Sequence, residues 1–234
     1  MECVSFLDQK TILMEKANEK KLQETEIVVV LDRSGSMRSI DKATVEGFNK
    51  FLDEQKNSEG EAFVTLVQFD DRYEMNYQSV PVKNVDSLVL NETFIPRGGT
   101  ALLDALGKTI EELKTDRDVV FVIITDGEEN ASKTYKREAI MKMIETQTNE
   151  GWKFLFLAAN QDAIKAGGSI GIGASNSVNY SSNDISTANV FASVSANMGK
   201  YRSSKFKSLF HEETDMEQLK QDLNFTDDQR ENSK

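Results

Sequence analysis

Residues 27–31, 119–124 and 154–159 are almost purely apolar and rich in β-branched or aromatic side chains. Runs of five or six residues are too short for helices, and that enrichment marks them as strands. A strand that is apolar at every position has both faces buried, which is the condition of a parallel sheet covered by helices on either side. A fourth run, Ala62–Phe69, begins apolar and ends alternating, and residues 72–77 alternate throughout. The pair suits an antiparallel edge strand joined to its neighbour through the turn at Asp70 and Asp71.

Between the strands the apolar period lengthens to that of helices. Met37, Ile40, Thr44, Val45, Phe48, Phe51 and Leu52 form one stripe, and Leu102, Leu103, Leu106, Ile110 and Leu113 form a second. Ile140, Met143, Ile144 and Gln147 extend a weaker third. Strands alternating with helices predict an α/β fold with a mostly parallel sheet and right-handed crossovers. A short strand near residues 177–180 and a helix over 183–205 complete the layers. This domain spans residues 25–205. Residues 1–24 carry Phe6, Leu7, Ile12, Leu13, Met14 and Leu22 among charges and read as a helical N-terminal extension packed on the domain. Residues 206–234 read as an acidic, partly disordered tail with one short amphipathic helix around Met216, Leu219 and Leu223. Its last ten residues are expected to be disordered.

Composition narrows the chemistry. The formal charge of -11 argues against a nonspecific nucleic-acid binder and leaves room for cations or basic partners. A single cysteine, Cys3, excludes internal disulfides and cysteine-rich zinc sites. The single histidine, His211, leaves Ser-His-Asp, Cys-His and His-rich metal sites poorly supported. A metal here takes oxygen ligands. No apolar run approaches the roughly 20 residues of a membrane span, and no secretory signal is visible, so the expected location is cytoplasmic.

In an open parallel sheet, ligands bind where the loops leave the carboxyl ends of the strands. Asp32, Arg33, Ser34, Gly35 and Ser36 follow the first apolar strand, Thr125, Asp126, Gly127 and Glu128 follow another, and Arg97, Gly98, Gly99 and Thr100 precede the second amphipathic helix. Carboxylates, hydroxyls and water are the ligands of a hard divalent cation such as Mg²⁺ or Mn²⁺. Asp32, Ser34 and Ser36 are alternate residues, and an extended segment turns alternate side chains to one side. Taken singly, these motifs are a helix cap and two turns. Their joint occurrence, each at the expected element, favours the metal.

These residues resemble the von Willebrand factor type A family. Asp32, Ser34 and Ser36 match its DxSxS element, Thr100 its threonine and Asp126 its second aspartate, over a resemblance spanning roughly residues 25–205. The resemblance implies a three-layer Rossmann-like fold: a six-stranded, mostly parallel sheet with one antiparallel edge strand and helices on both faces. It implies a metal-ion-dependent adhesion site in which Ser34, Ser36 and Thr100 bind Mg²⁺ or Mn²⁺ directly and Asp32 and Asp126 act through water. The open position takes an Asp or Glu of a protein partner, with Met37, Arg97, Glu128 and Asn160 as candidate partner-binding residues around it. Intracellular relatives of bacterial or phage type commonly serve beside AAA+ ATPases or in stress and defence assemblies.

Other apparent motifs fail. Gly107, Lys108 and Thr109 imitate the end of a phosphate-binding loop, but Leu102 stands where that motif needs glycine. Residues 167–173 are glycine-rich without an ordered G-x-G-x-x-G and read as a turn into the last strand. The sequons at Asn91, Asn130, Asn179 and Asn224 lack a secretory context. Lys200, Arg202, Lys205 and Lys207 read as a solvated helix face, and Asp162 as a helix cap. The rival functional class is a metal-dependent hydrolase with Asp32 or Asp126 as base, although such sites usually carry a denser carboxylate cluster.

Overall fold

A computed structural model describes residues 24–159, 161–208 and 216–234. The chain runs β1 (Thr25–Asp32), α1 (Asp41–Asn57), β2 (Ala62–Phe69), β3 (Tyr73–Pro81), α2 (Leu102–Glu112), β4 (Asp118–Thr125), α3 (Arg137–Asn149) and β5 (Lys153–Ala159). It continues through α4 (Ala163–Gly168), β6 (Ser177–Tyr180), α5 (Asp184–Ser208), α6 (Met216–Asp222) and α7 (Asp227–Asn232). The strands form a single six-stranded sheet in the order β3-β2-β1-β4-β5-β6. Only the β2–β3 pairing is antiparallel, and β3 is the edge strand that the alternation predicts.

The apolar runs work as their composition requires. Successive side chains of β1 point to opposite faces. Ile27, Val29 and Leu31 enter a core with Phe48, Phe51 and Leu52 of α1 and Phe191, Val194 and Met198 of α5. Val28 and Val30 enter a second core with Leu102, Leu103 and Leu106 of α2 and Ile140 and Ile144 of α3. Each such side chain contributes roughly 1.5–3 kcal/mol on leaving water. On the first face α1 and α5 approach closely at Gly47, where an added Cβ would collide with the Phe191 ring. Gly47→Ala is therefore expected to destabilise the fold by about 1–3 kcal/mol through overpacking, against a gain of at most about 1 kcal/mol in helix propensity. Thermal unfolding checks this, and an unchanged or raised Tm would show that α5 yields.

The C-terminal region departs from expectation. Residues 225–234, expected to be disordered, form α7 and its flanks, with Phe225 buried. Thr226 and Gln229 close a reciprocal capping box at its start, Thr226 Oγ1 accepting from Gln229 N at 3.2 Å and Gln229 Oε1 from Thr226 N at 3.0 Å. Arg230 donates to the carbonyls of Ala174, Ser175 and Ser177, and Ser181 N donates to Ser233 O at 3.0 Å. The segment thus covers the outer edge of β6, whose backbone would otherwise be an open pairing surface.

The basic stretch on α5 is a solvated face only at Lys200 and Lys207. Arg202 is buried and donates to Gln55 O (2.8 Å), Gln55 Oε1 (2.9 Å) and Gly60 O (2.8 Å), and burial lowers its pKa to about 10. Lys205 pairs with Asp118 at 2.8 Å and Lys200 with Asp222 at 2.8 Å, while Lys207 is exposed. Lys205 thus fastens α5 to the start of β4, Arg202 fastens it to the end of α1, and Lys200 ties it to α6. The N-terminal extension predicted over residues 1–24 lies outside the described residues except for Glu24, as does His211. Among the described residues no helix is long and apolar enough to cross a membrane.

Candidate metal centre

β1 and β4 pair in parallel with Leu31 opposite Ile124, so their loops leave the sheet side by side. Asp32 is fully buried at that junction. Its Oδ2 accepts from Thr125 Oγ1 at 2.6 Å and its Oδ1 from Ser34 N at 2.6 Å. Ser34 Oγ lies 3.1 Å from Ser36 Oγ, and Ser36 Oγ donates to Asp126 Oδ1 at 2.6 Å. Two loops from different strands thus bring four of the five motif side chains into one hydrogen-bonded cup.

Thr100 enters from the third loop. Its N–H donates to Asn130 Oδ1 at 2.9 Å, and its carbonyl accepts from Asn130 N at 3.0 Å and Ala131 N at 3.2 Å, tying it to the loop after β4. Gly127 shows that Thr100 and Ser36 flank one point, because a Cβ there would lie 3.2 Å from Thr100 Oγ1 and 3.3 Å from Ser36 Oγ. Any larger residue at 127 would push a methyl group between the two hydroxyls.

Burial raises the Asp32 pKa to about 6, against the hydrogen bonds from Thr125 and Ser34, and the negative charge of Asp126 adds to the rise. Burial likewise raises Asp126, opposed by the bond from Ser36. Asp32 is therefore a buried carboxylate faced by two neutral donors and a second carboxylate. That environment suits a cation, and the hydroxyl and carboxylate oxygens around it are the donor set of a hard one. Among the described residues no three of His, Cys, Asp and Glu gather as a metal cluster, so the cup relies on hydroxyls.

A second network holds the loops. Arg33, between Asp32 and Ser34, is buried and donates through Nε to Asp70 Oδ2 at 3.0 Å and through Nη1 to Glu74 Oε2 at 2.8 Å. Arg97 donates through Nε to the same Asp70 Oδ2 and through Nη2 to Glu74 Oε1, both at 2.8 Å. The backbone adds Arg97 N to Arg33 O at 2.8 Å, Gly35 N to Gly98 O at 3.1 Å and Ala101 N to Asp70 O at 2.9 Å. Gly98 has φ +66°, a left-handed backbone conformation that favours glycine, and a Cβ there would also displace the Asp71 carboxylate. The turn after β2 thereby clasps the loop of Ser34 and Ser36 to the loop of Thr100.

The candidate partner-binding residues fare unevenly. Met37 is fully buried in the first core, turned inward from the 3₁₀ turn Gly35–Ser39, so it is not available to a partner. Its apolar side chain follows the core stripe of Ile40 and Phe48 instead. The Arg97 side chain is partly exposed, but its guanidinium is committed to Asp70 and Glu74. Glu128 is exposed. Asn160 lies outside the described residues. Asp162 caps α4, accepting from Lys165 N at 3.1 Å. Of the supporting residues, Thr125 opens the Thr-Asp-Gly segment, whereas Asp70, Asn130 and Gln161 carry no signal of a metal site in the sequence. Gln161 Nε2 donates to Gly127 O at 2.9 Å and props the turn that separates the hydroxyls.

Residues 27–129 match the family model of the von Willebrand factor type A domain. Solved structures share the fold at low identity. Proximal thread matrix protein 1 from the mussel byssus, solved with a zinc-occupied MIDAS motif, is 16% identical with a TM-score of 0.55, the match covering 82% of this chain and 51% of that one. A von Willebrand factor type A protein from Catenulispora acidiphila is 16% identical with a TM-score of 0.54, covering 76% and 43%. The ArnB paralog VWA2 from Sulfolobus acidocaldarius is 17% identical with a TM-score of 0.51, covering 76% and 46%. The chain thus spans about half the length of these structures or less. A comparison with curated proteins returns no match.

Proposed function

We propose that the chain, whose residues 27–129 match the family model of the von Willebrand factor type A domain, is a metal-dependent interaction module whose divalent cation, Mg²⁺ or Mn²⁺, receives an Asp or Glu of a protein partner. The observation that carries the reading is the convergence of Ser34, Ser36 and Asp126 in one hydrogen-bonded chain, with Thr100 and Ser36 flanking the space over Gly127. Ser34, Ser36 and Thr100 would hold the ion directly and Asp32 and Asp126 through water. With neutral hydroxyls as the direct protein ligands, the bound ion supplies an electrophilic centre that keeps most of its charge for an incoming carboxylate. The zinc in the MIDAS motif of the mussel byssus protein supports a divalent cation in this cup.

The chain's own residues supply orientation. Thr125 and the Ser34 N–H fix the Asp32 carboxylate, Asn130 fixes the Thr100 backbone, and Arg33 and Arg97 fix the two loops against each other. The hydrolase alternative is less well supported. As a base for water on the same ion Asp32 is poorly placed, because it is fully buried and both its oxygens already accept hydrogen bonds. An AAA+ ATPase or a stress or defence assembly is the class of partner we propose. Calorimetry tests the reading: Mn²⁺ and Mg²⁺ should bind with one site per chain, and EDTA should release a captured partner. A phosphoesterase screen with Mn²⁺ should be blank, and turnover lost on Ser36→Ala would favour the hydrolase instead.

A further inference from the structure

Tyr180 ends β6, and its side chain is buried in the first core. β5 lies between β6 and β4, and Tyr180 stands opposite Ala159 of β5 in register. The large side chains of β5, Phe154 to Leu157, give way at its end to Ala158 and Ala159, both fully buried. Ala159 and Tyr180 share one face of the sheet with Ile124 of β4. A methyl group at 159 leaves the ring room to lie across β5, and its hydroxyl donates to Thr125 O on β4 at 3.3 Å. A phenol removed from water needs such an acceptor, whereas phenylalanine would fill the same space without one.

That oxygen belongs to the peptide that joins Thr125 to Asp126. On one side of it Thr125 Oγ1 donates to Asp32 Oδ2 at 2.6 Å, and on the other Asp126 Oδ1 accepts from Ser36 Oγ at 2.6 Å. A rotation of this peptide would disturb both contacts at once. The next carbonyl but one, Gly127 O, accepts from Gln161 Nε2 at 2.9 Å. The segment that carries Asp126 is therefore pinned before and after the carboxylate, by Tyr180 and by Gln161. Burial, with the negative charges of Asp126 and Asp32 adding to it, pushes the Tyr180 pKa well above its ordinary value. The phenol thus stays a neutral donor beside both carboxylates.

We propose that Tyr180 is a positioning residue of the metal cup, fixing Asp126 through the Thr125 carbonyl, an inference that rests on the metal reading above. A carboxylate that acts through water has no bond to the ion to hold it in place. The protein has to aim it, and outer partners of this kind tune metal affinity without touching the metal. Tyr180 does so from the far side of β5, at a position with no part in the five-residue motif.

Tyr180→Phe keeps the ring and removes only the hydroxyl. Tyr201→Phe is its control, since Tyr201 is as deeply buried but donates to Asp118 at the opposite end of β4. Calorimetry with Mn²⁺ and electron paramagnetic resonance of the Mn²⁺-saturated full chain read the two variants. Tyr180→Phe should weaken Mn²⁺ about fivefold, the scale of one buried hydrogen bond, and should alter the line shape of the bound ion, because a displaced Asp126 disturbs its waters. Tyr201→Phe should leave both unchanged. If wild type binds Mn²⁺ and Tyr180→Phe matches it, or loses affinity with an unaltered spectrum, the ring merely packs and the positioning role is wrong while the metal reading stands. Equal effects in Tyr201→Phe would likewise reduce the role to general stability. If the wild type does not bind Mn²⁺, both readings fall.

Discussion

Asp32→Ala is expected to flatten the Mn²⁺ isotherm while leaving a folded protein. The carboxylate orders the loop that carries two of the proposed direct ligands, since it accepts from Ser34 N and from Thr125 Oγ1, both at 2.6 Å. Removing it takes away an anion of the cup and frees the backbone that aims Ser34 and Ser36. Two opposing terms set the effect on the metal-free fold. Thr125 Oγ1 keeps Gly127 O as an acceptor at 3.1 Å, whereas leaving the buried Ser34 N–H unsatisfied costs about 1–3 kcal/mol. Against that, burial raises the Asp32 pKa from 3.8 to about 6, which means that ionised Asp32 destabilises the folded state at neutral pH by about 3 kcal/mol. The sign is that of a raised carboxylate: the penalty is absent below pH 4 and complete above pH 6. The terms nearly cancel, so the Tm of the variant at pH 7 should stay within several degrees of wild type. Ser36→Ala keeps Asp32 and should weaken Mn²⁺ at least tenfold. If the Asp32→Ala and wild-type titrations coincide, the five residues are caps and turns and the functional reading fails.

The parts of this site that were legible in the sequence are those whose chemistry is local. β1, β4 and β5 announce themselves because burial on both faces demands unbroken apolar runs, and Asp32 and Asp126 stand out because they end such runs. Asp70 does not. It reads as half of an Asp-Asp turn, and its role depends on Arg33 and Arg97, 37 and 27 residues away, which only the order of the strands brings together. Met37 shows the opposite: its place in the helical stripe marks it as core, and that burial excludes a partner contact. At the C-terminus the charge density suggested disorder, although Thr226 and Gln229 stand at capping-box spacing and Phe225 offers an anchor. The basic residues of α5 misled for the same reason as Asp70, because Gln55, Gly60 and Asp118 approach them only after folding.

Asp70→Ala is expected to cost about 3–5 kcal/mol, the largest loss of stability from any single charge in the clasp. Asp70 is fully buried and the Arg33 side chain is only 5% exposed, so truncating the carboxylate leaves the buried Arg33 Nε without its acceptor and only the half-exposed Glu74 to balance the guanidinium. Glu74 is a different case although it touches the same two arginines. Its side chain is 45% exposed, water screens its pairs, and Glu74→Gln should cost no more than about 1 kcal/mol. Hydrogen bonds from Arg33, with the charges of both arginines, hold the Glu74 pKa down at about 2, below its ordinary 4.5. A lowered carboxylate stabilises the fold above its unfolded pKa, and that contribution is lost as pH falls through the folded one. The urea midpoint of the wild type should therefore fall between pH 4.5 and 2 by more than that of Glu74→Gln. Because the clasp joins the loop of Ser34 and Ser36 to that of Thr100, Asp70→Ala should also weaken Mn²⁺ under conditions where the variant is still folded, whereas Glu74→Gln should leave the metal affinity near wild type. Urea unfolding and calorimetry on the two variants separate these outcomes. A loss below 1 kcal/mol for Asp70→Ala would mean that the backbone bonds among Arg33, Gly35, Arg97, Gly98 and Ala101 hold the loops without the charges.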